Sequence, residues 1–397
     1  MINNNFLNDR TYNILLNNKN DYKINFNDII NDDYIYYNKT YKNKYLSSRT
    51  PAYDDVSKKE KTGIYRIKYN DEKDKDKKGE PKIKFKYYYA TNDKLVSLDD
   101  QKRIDSLGLA PSYDDVWVSS DPKSKIQATG MDIKGRKQYR YNKEHILTAE
   151  KEKFIRLYKF IKNIPKFEEI MEKDLNKPLF SKERTISIMF YIIKELNIRV
   201  GKEVYARTNK SYGITSLKKS HIKIDEKNNT AKFNFKAKSN KHVQYSLNNE
   251  VIVKELILLM KLDGEKLFQY KNSENLIYRV NDVDLNDYIR KNMDKGITVK
   301  DFRTYAANFY FIKALLSETR KRLPTTQKIA KKNLSLAQEN TAFYLRHTKS
   351  ISKKSYTIDL IRNLYMNDSE YFIINKNKKP LNLLLEILKL YKQSLKK

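Results

Sequence analysis

Two hydrophobic periodicities divide the chain. From about residue 62 to residue 145 apolar and polar residues alternate, as in "GIYRIKY", "IKFKYYYA" and "VWVS", and this period of two predicts β-strands. After about residue 148 apolar residues recur every three to four positions, as in "EKFIRLYKFI", which predicts amphipathic helices. The fold class is therefore predicted to be α+β, with a small β-rich domain (residues 59–147) before a larger, mainly helical domain (residues 148–397).

Residues 1–58 follow neither pattern. They are rich in Asn, Ile, Tyr and Lys, which predicts a loosely packed N-terminal extension. The opening "MINNNFLNDR" lacks the charged and then apolar segments of a signal peptide. Since no stretch approaches the roughly 18 apolar residues of a membrane-spanning helix, we expect a soluble, intracellular protein without a membrane partner.

Local signals refine three elements. The helical segment "RTISIMFYIIKELNI" is followed by "RVGK", which predicts Arg199 in the last helical turn and Gly201 as the C-terminal cap. The charged run "DEKDKDKKGEPK" between the first two strands predicts a solvated loop. The terminal "PLNLLLEILKLYKQSLKK" predicts an amphipathic helix.

A further helix is predicted for "TVKDFRTYAANFYFIKALL". It begins with Thr298, and Asp301 three residues later completes a pattern resembling a capping box. Phe302 and the apolar residues that follow it at helical spacing predict a buried stripe, with Arg303 near its border.

A β-hairpin is predicted to interrupt the helices at "KFNFKAKSNKHVQYSL". Phe233 and Phe235 alternate on one arm, and Val243 and Tyr245 alternate on the other. The turn between the arms places Lys238 at or near the tip.

The amino-acid composition limits the chemical class of the binding partner. The chain has 81 Lys and Arg against 49 Asp and Glu, a formal net charge of +32, which favours a polyanion. Nucleic acid is the first candidate, and an anionic membrane surface is the rival. Because cysteine is absent and the four histidines are far apart in sequence, neither a disulfide nor a metal site is expected. The most P-loop-like segment, "GMDIKGRK", has Arg136 and Lys137 in place of the phosphate-binding Lys and the Ser or Thr, so no nucleotide site is predicted.

The segment "GRKQYRY" combines cations with aromatic residues. On a strand, Tyr139 and Tyr141 would share one face. Cations that meet phosphates and rings that meet bases suit a nucleic-acid surface. An ordinary amphipathic strand with the tyrosines packed inward is the alternative, and the composition does not choose between them.

Cutting a DNA strand without metal or ATP requires a particular set of side chains. A tyrosine hydroxyl can attack the phosphodiester, and arginine and histidine can hold the negative charge of the transition state. A lysine on a hairpin can protonate the departing 5′ oxygen. The chain carries such a set in the order Arg199, Lys238, Arg303, His347, Tyr356.

This set and its flanking segments resemble the type IB DNA topoisomerases, in particular the small poxvirus-like branch. The matching segments are "RVGKEVYARTNKSYGITSLKKSHI", "KDFRTYAANF" and "HTKSISKKSY", and the β-rich part matches through "VWVS" and "SKIQATGMDIKGRKQYRY". The resemblance covers about residues 60 to 370. It implies a catalytic domain of the tyrosine recombinase/topoisomerase IB type with an inserted β-hairpin.

The resemblance also implies roles for the five residues. Tyr356 would be the nucleophile, forming a 3′-phosphotyrosyl link and releasing a 5′-hydroxyl. Arg199, Arg303 and His347 would bind the scissile phosphate. Lys238 would be the general acid.

Further implications concern partners and cofactors. The resemblance implies a monomer that clamps double-stranded DNA and relaxes supercoils without a metal or nucleotide cofactor. Members of the viral branch often prefer a cleavage site of the form (C/T)CCTT, so the resemblance implies such a site. For a viral enzyme it also implies a location in the virion or the host-cell cytoplasm. The positions that would contact DNA or support the site are Arg136, Gln138, Tyr139, Tyr141, Tyr205, Lys300 and Asn308.

The chain departs from the family pattern at two points. The hairpin tip reads "AKS" where Gly-Lys-Asp is usual, and Lys236 and Lys241 flank the predicted acid Lys238. Arg346 stands where Gly is common, directly before His347.

Two rival functions remain. A tyrosine recombinase shares the chemistry, but it usually carries a His three residues before the second Arg, where this chain has Lys300, and its N-terminal domain is usually helical. A non-catalytic basic DNA-binding protein is less favoured because all five catalytic positions are filled.

Overall fold

The computed structural model describes residues 62–75, 79, 81–133 and 135–394. These residues form two compact units whose boundary lies between Glu152 and Lys153, and each unit has its own hydrophobic core. A long helix, α2 (Lys143–Leu175), runs through this boundary, and the predicted domain border at 147/148 falls inside the same helix. The predicted extension, residues 1–58, lies outside the described residues.

The first unit is built on a five-stranded antiparallel sheet with the strand order β2-β1-β3-β4-β5. The helix α1 (Leu98–Ser106) lies in the chain between β2 and β3, and its Ile104 packs in the core with Ile64, Val118 and Ala128. The strands are β1 (Ile64–Lys75), β2 (Pro81–Tyr89), β3 (Asp114–Val118), β4 (Ile126–Met131) and β5 (Lys137–Tyr141).

Alternation predicted β1, β2, β3 and β5, but β4 and α1 were missed. All but the last residue of β4 are buried, so the strand has no polar face to produce alternation. The prediction of a solvated loop after residue 70 was wrong in part. The strand β1 continues to Lys75, where it pairs only with β2, because a two-stranded ribbon needs no buried face and tolerates charged residues.

The second unit is mainly helical and holds a three-stranded antiparallel sheet with the order β6-β7-β8. Its helices before the sheet are α3 (Lys182–Leu196) and α4 (Glu203–Asn209). The sheet strands are β6 (Ile222–Asp225), β7 (Thr230–Ala237) and β8 (Lys241–Asn248). Then follow α5 (Glu250–Met260), the strand pair β9 (Gln269–Lys271) and β10 (Ile277–Arg279), α6 (Asp282–Asn292), α7 (Lys300–Lys321), α8 (Gln327–Tyr344), α9 (Asp359–Asn367), α10 (Ser369–Ile374) and α11 (Pro380–Ser394).

The helix α3 ends earlier than predicted. Its last residue is Leu196, and Asn197 caps it in the left-handed conformation (φ 53°) with its N–H bonded to the Ile193 carbonyl. Arg199 therefore lies in the connection beyond the helix. Asparagine can take the left-handed position that the prediction assigned to Gly201, so the cap forms at the first suitable residue.

The helix α7 is central to the second unit. It is buried around most of its circumference and packs against α8 and α11. Of the predicted capping box, one half is present: Asp301 accepts from the Thr298 N–H and hydroxyl, both at 2.8 Å. The helix begins at Lys300, two residues later than predicted, and has no side-chain bond at its N-cap. The prediction that Arg303 lies near the border of the buried stripe was wrong, since its side chain is only 4% exposed.

The amphipathic helix predicted at the C-terminus is α11. Its buried stripe comprises Leu383, Leu384, Ile387, Leu388 and Tyr391. Among the described residues, no helix is long and apolar enough to cross a membrane.

Candidate active site

Arg303 lies at the centre of the site. The buried helix α7 presents its guanidinium to two backbone carbonyls, with Nη2 donating to the Leu345 oxygen at 2.9 Å and Nη1 donating to the Asn197 oxygen. Its Nε is buried and finds no hydrogen-bond acceptor among the described residues. Burial and the positive charge of Arg199 lower the pKa of Arg303, yet a guanidinium stays protonated at neutral pH. The helix therefore holds a fixed, buried cation.

Tyr356 and His347 pack beside this cation. The Cζ atom of Arg303 is 5.4 Å from the centroid of the Tyr356 ring. The rings of His347 and Tyr356 meet edge to face, with centroids 5.1 Å apart and an interplanar angle of 90°. The structure thus brings together three of the five residues predicted for catalysis.

The end of α8 delivers His347 to this position. Arg346 follows the helix in the left-handed conformation (φ 53°), and the His347 N–H bonds to the Ala342 carbonyl at 3.1 Å. This is the Schellman pattern of helix termination, in which the left-handed residue reverses the chain. The position is one that glycine favours, which accounts for the usual Gly noted above.

Asn308 fixes the backbone that carries Tyr356. The residues from Ser352 to Tyr356 form a wide π-helical turn. The side-chain Nδ2 of Asn308 donates to the Tyr356 carbonyl at 3.0 Å, and its Oδ1 accepts from the Ile358 N–H at 3.0 Å. Because Asn308 is fully buried, its hydrogen bonds favour support of the site over contact with DNA, the two roles that the sequence left open.

Arg199 reaches the site from a tightly packed connection. Its carbonyl accepts from the Ile214 N–H at 2.9 Å, and a Cβ atom added at Gly213 would lie 2.5 Å from the same oxygen. Only glycine permits this approach. The Arg199 charge lowers the pKa of Arg303 and opposes the rise in the pKa of Tyr245, so its guanidinium lies close enough to act on both side chains.

The charges of Arg199 and Arg303 have no carboxylate partner in the part of the chain that the structure describes. Neighbouring cations repel each other, and burial adds to the cost of leaving them unpaired. An anion bound between them would relieve both effects, so the site suits a phosphate.

Lys238 lies at the turn of the β7–β8 hairpin. It begins the connection Lys238–Asn240, and Ala237 pairs with Lys241 across the hairpin. Tyr245, which packs near the arginines, is four residues along β8 from Lys241, a distance of about 13 Å on a strand.

Comparisons with known proteins bear on this arrangement. Residues 134–372 match the family model described as "Eukaryotic DNA topoisomerase I, catalytic core". Residues 84–132 match the model described as "Bacterial DNA topoisomerase IB, N-terminal domain".

The chain belongs to the type IB DNA topoisomerases.

Among the relatives of this topoisomerase, the DNA topoisomerase 1B of Acanthamoeba polyphaga mimivirus is 50% identical over 83% of this chain and 96% of the relative. The DNA topoisomerase I of Monkeypox virus and the DNA topoisomerase 1B of Vaccinia virus (strain Copenhagen) are each 26% identical over 66% of this chain and 79% of the relative. These relatives favour the topoisomerase over the recombinase alternative.

The strand β5 of the topoisomerase carries three of the predicted DNA contacts, Gln138, Tyr139 and Tyr141, and Arg136 directly precedes it. Tyr139 and Tyr141 stack with centroids 6.2 Å apart, which confirms that they share a face, and both lie outside the core cluster of this unit. Arg140, on the opposite face, is buried and donates to the Leu107 and Gly108 carbonyls. Inward packing of the tyrosines, the alternative left open above, is therefore not observed.

Asp132 organises the two polar candidates beside these tyrosines. Its carboxylate accepts from Arg136 Nε at 2.6 Å and from Gln138 Nε2 at 3.1 Å. Both side chains are half-buried. Their contact with DNA stays a prediction.

The remaining two candidates lie on helices of the second unit. Tyr205 is half-buried on α4, directly after the Arg199 connection, and Lys300 is the exposed first residue of α7. Sequence reasoning missed Tyr245 as a neighbour of the arginines. Its place on the inner face of β8 was predicted, but the sequence carries no signal of what that face meets.

Proposed function

We propose that this topoisomerase relaxes supercoiled DNA by transient cleavage of one strand, with Tyr356 as the nucleophile. The packing of the Tyr356 ring against Arg303 and His347 carries the proposal. The phenol gives up its proton to water as its oxygen attacks the scissile phosphorus, a bond from phosphorus to tyrosine forms, and the bond to the 5′ oxygen breaks. The products are a 3′-phosphotyrosyl link and a 5′-hydroxyl strand end.

The cations stabilise the pentavalent transition state. Arg199 and Arg303 bind the non-bridging oxygens, and His347 donates to one of them. Preorganised donors of this kind contribute roughly 3–4 kcal/mol each, by analogy with the loss of an oxyanion-hole donor. The absence of a carboxylate partner for either arginine in the described residues supports this role.

Lys238 protonates the departing 5′ oxygen. A hairpin tip can approach the scissile position when DNA is bound. We also propose that the second unit has the catalytic fold of tyrosine recombinases and type IB topoisomerases, in which this hairpin is an insertion. Religation reverses each step: the 5′-hydroxyl attacks the phosphotyrosine and Tyr356 leaves. Because the phosphotyrosyl bond conserves the energy of the broken phosphodiester, no nucleotide is consumed.

The nucleophile is covered in the structure. Tyr356 is 4% exposed and His347 is 9% exposed. A phosphodiester reaches the phenol only when the segment around residues 349–356 shifts. We therefore propose that duplex DNA completes the site as it binds, which protects the phenol until a substrate is present.

Binding involves double-stranded DNA, and we propose that both units contact it and that the enzyme acts as a monomer. Tyr139, Tyr141 and Tyr205 are aromatic candidates for reading a (C/T)CCTT-type site in the major groove, and Lys300 is a candidate for binding phosphate. The viral relatives support a place in a virion or in host-cell cytoplasm.

Plasmid relaxation in EDTA, without nucleotide, tests the proposal. Wild type should relax supercoiled plasmid and form a covalent DNA adduct, whereas Tyr356→Phe should bind duplex DNA with unchanged affinity and do neither. Tyr365→Phe is the matched control: it removes another buried phenol of the same unit, bonded to Thr319 and Asn333, and it should keep the activity. Relaxation by Tyr356→Phe, or loss of wild-type relaxation on chelation, would contradict the mechanism.

A further inference from the structure

Arg346 occupies a backbone position that suits glycine. It terminates α8 in the left-handed conformation at φ 53°. In this region the Cβ atom crowds the following carbonyl, so an arginine costs stability that a glycine would not. A side chain retained at such a position calls for a role of its own.

The Arg346 side chain is held on an aromatic platform. Its Cζ atom lies 4.4 Å from the centroid of the Tyr245 ring, a cation–π contact. Tyr245 is only 8% exposed and stacks in turn on Phe235, with centroids 5.9 Å apart. The exposed guanidinium of Arg346 therefore rests on a ring that is itself fixed in the core.

Tyr245 connects Arg346 to the catalytic arginines. Burial raises the pKa of the Tyr245 hydroxyl, and the charges of Arg303, Arg346 and Arg199 oppose that rise. The charges of three guanidinium groups thus act on one tyrosine, and the Arg346 guanidinium lies over its ring. Within the described residues, Arg346 has no carboxylate partner, as is also true of the other two arginines.

We propose that Arg346 is a further phosphate-binding residue of this topoisomerase, binding a backbone phosphate at the scissile position or directly next to it on the cleaved strand. The inference rests on the proposed function. The Arg346 guanidinium lies over the Tyr245 ring, and an arginine stacked on a ring keeps its in-plane N–H donors for the two-pronged contact that arginine makes with phosphate. Arg346 also sits directly before His347 in the chain, so binding at Arg346 would draw His347 onto the scissile phosphate.

Single-turnover cleavage of a duplex with one defined site is the first test. Arg346→Ala should slow formation of the covalent adduct by about tenfold to a hundredfold, the range expected for one charge-assisted hydrogen bond. Arg346→Gly should show the same loss although its backbone is relaxed, and Arg346→Lys should recover only part of the rate because it lacks the planar fork. Arg320→Ala, which removes an exposed arginine from the last turn of α7, should cleave like wild type.

Methylphosphonate substitution then identifies the phosphate. Replacing one non-bridging oxygen with a methyl group removes the charge of a single phosphate. At one of the three positions, scissile or either neighbour, wild type and Arg346→Ala should become equally slow. The dependence of log K on log salt should also become shallower by about 0.9 in the Arg346→Ala variant.

The outcomes separate this inference from the proposed function. If Arg346→Ala and Arg346→Gly cleave as fast as wild type, or if no methylphosphonate position removes the difference between wild type and Arg346→Ala, the inference is wrong while the nucleophile assignment stands. If wild type forms no adduct, or Tyr356→Phe still forms one, the proposed function itself has failed.

Discussion

At the scale of single residues, Asn308 is a buried side chain that holds the backbone beside the proposed nucleophile. Its amide bonds the chain on both sides of Thr357, through the Tyr356 carbonyl and the Ile358 N–H. A third bond, from Nδ2 to the Thr304 carbonyl at 2.8 Å, ties the same amide to its own helix. The backbone that carries the Tyr356 side chain is therefore tied to α7 through one buried amide.

We expect Asn308→Ala to slow adduct formation by roughly tenfold to a hundredfold while noncovalent DNA affinity stays near that of wild type. Freeing the backbone of Tyr356 lets the phenol leave the attack geometry, and small misplacements cost about this much in rate. Adduct formation and gel-shift affinity, measured on the same duplex, check this.

Asn333→Ala is the matched control for Asn308→Ala. Asn333 is also fully buried, and its Nδ2 donates to the Arg322 carbonyl and to the Tyr365 hydroxyl. This variant should lose stability on heating but cleave at nearly the wild-type rate once folded. Equal loss of cleavage in both variants would mean that Asn308 acts only through general stability.

At the scale of elements, the helix α7 and the β7–β8 hairpin carry different residues of the proposed catalytic set. The helix carries Arg303 and Asn308, and both side chains are buried. The hairpin holds Tyr245 at its inner face and Lys238 at its turn. Rigid packing suits the binding of a charge that develops in place, whereas a hairpin tip suits a proton donor that arrives with DNA.

We expect Lys238→Ala to cleave an ordinary duplex far more slowly than wild type, by about a hundredfold or more, the scale of general acid catalysis. A duplex whose 5′ bridging oxygen is replaced by sulfur should be cleaved at nearly the wild-type rate, because a thiolate leaves without a proton. Single-turnover cleavage of both duplexes measures the effect.

Lys236→Ala and Lys241→Ala are the controls for the assignment of the acid. They remove the neighbouring cations of the hairpin and should affect both duplexes alike. Should sulfur rescue one of these variants and leave Lys238→Ala slow, the acid would be that neighbour.

At the scale of the whole molecule, we expect the net positive charge to be the main attraction between the protein and DNA. A formal net charge of +32 creates an electrostatic field that attracts a polyanion. Binding releases condensed counterions from the duplex, so added salt opposes it.

We expect the affinity for duplex DNA to fall about a thousandfold or more between 50 and 200 mM salt, the behaviour of proteins with several phosphate contacts. The measurement is best made on Tyr356→Phe, since no covalent adduct then holds the complex together at high salt. An affinity that hardly changes over this range would mean that base stacking, rather than phosphate contact, supplies most of the binding free energy.

Much of the local structure was predictable because it repeats within a short window. Alternation predicted β5 and the shared face of Tyr139 and Tyr141, and helical spacing predicted α11. Where periodicity was absent, as in the buried strand β4, prediction failed. The end of α3 was misplaced because the prediction assigned the left-handed cap to Gly201, whereas Asn197 takes that conformation earlier in the chain.

By itself the sequence determined most of the element types and the excess of positive charge, since these are properties of composition or of neighbours along the chain, and its resemblance to a family supplied the candidate catalytic residues. Only the tertiary structure decided that Arg303 is buried, that Asn308 holds a backbone segment 48 residues away, and that Arg346 rests on Tyr245. Such contacts join residues far apart in the chain, and their strength depends on burial and on uncompensated charge, neither of which leaves a period in the sequence.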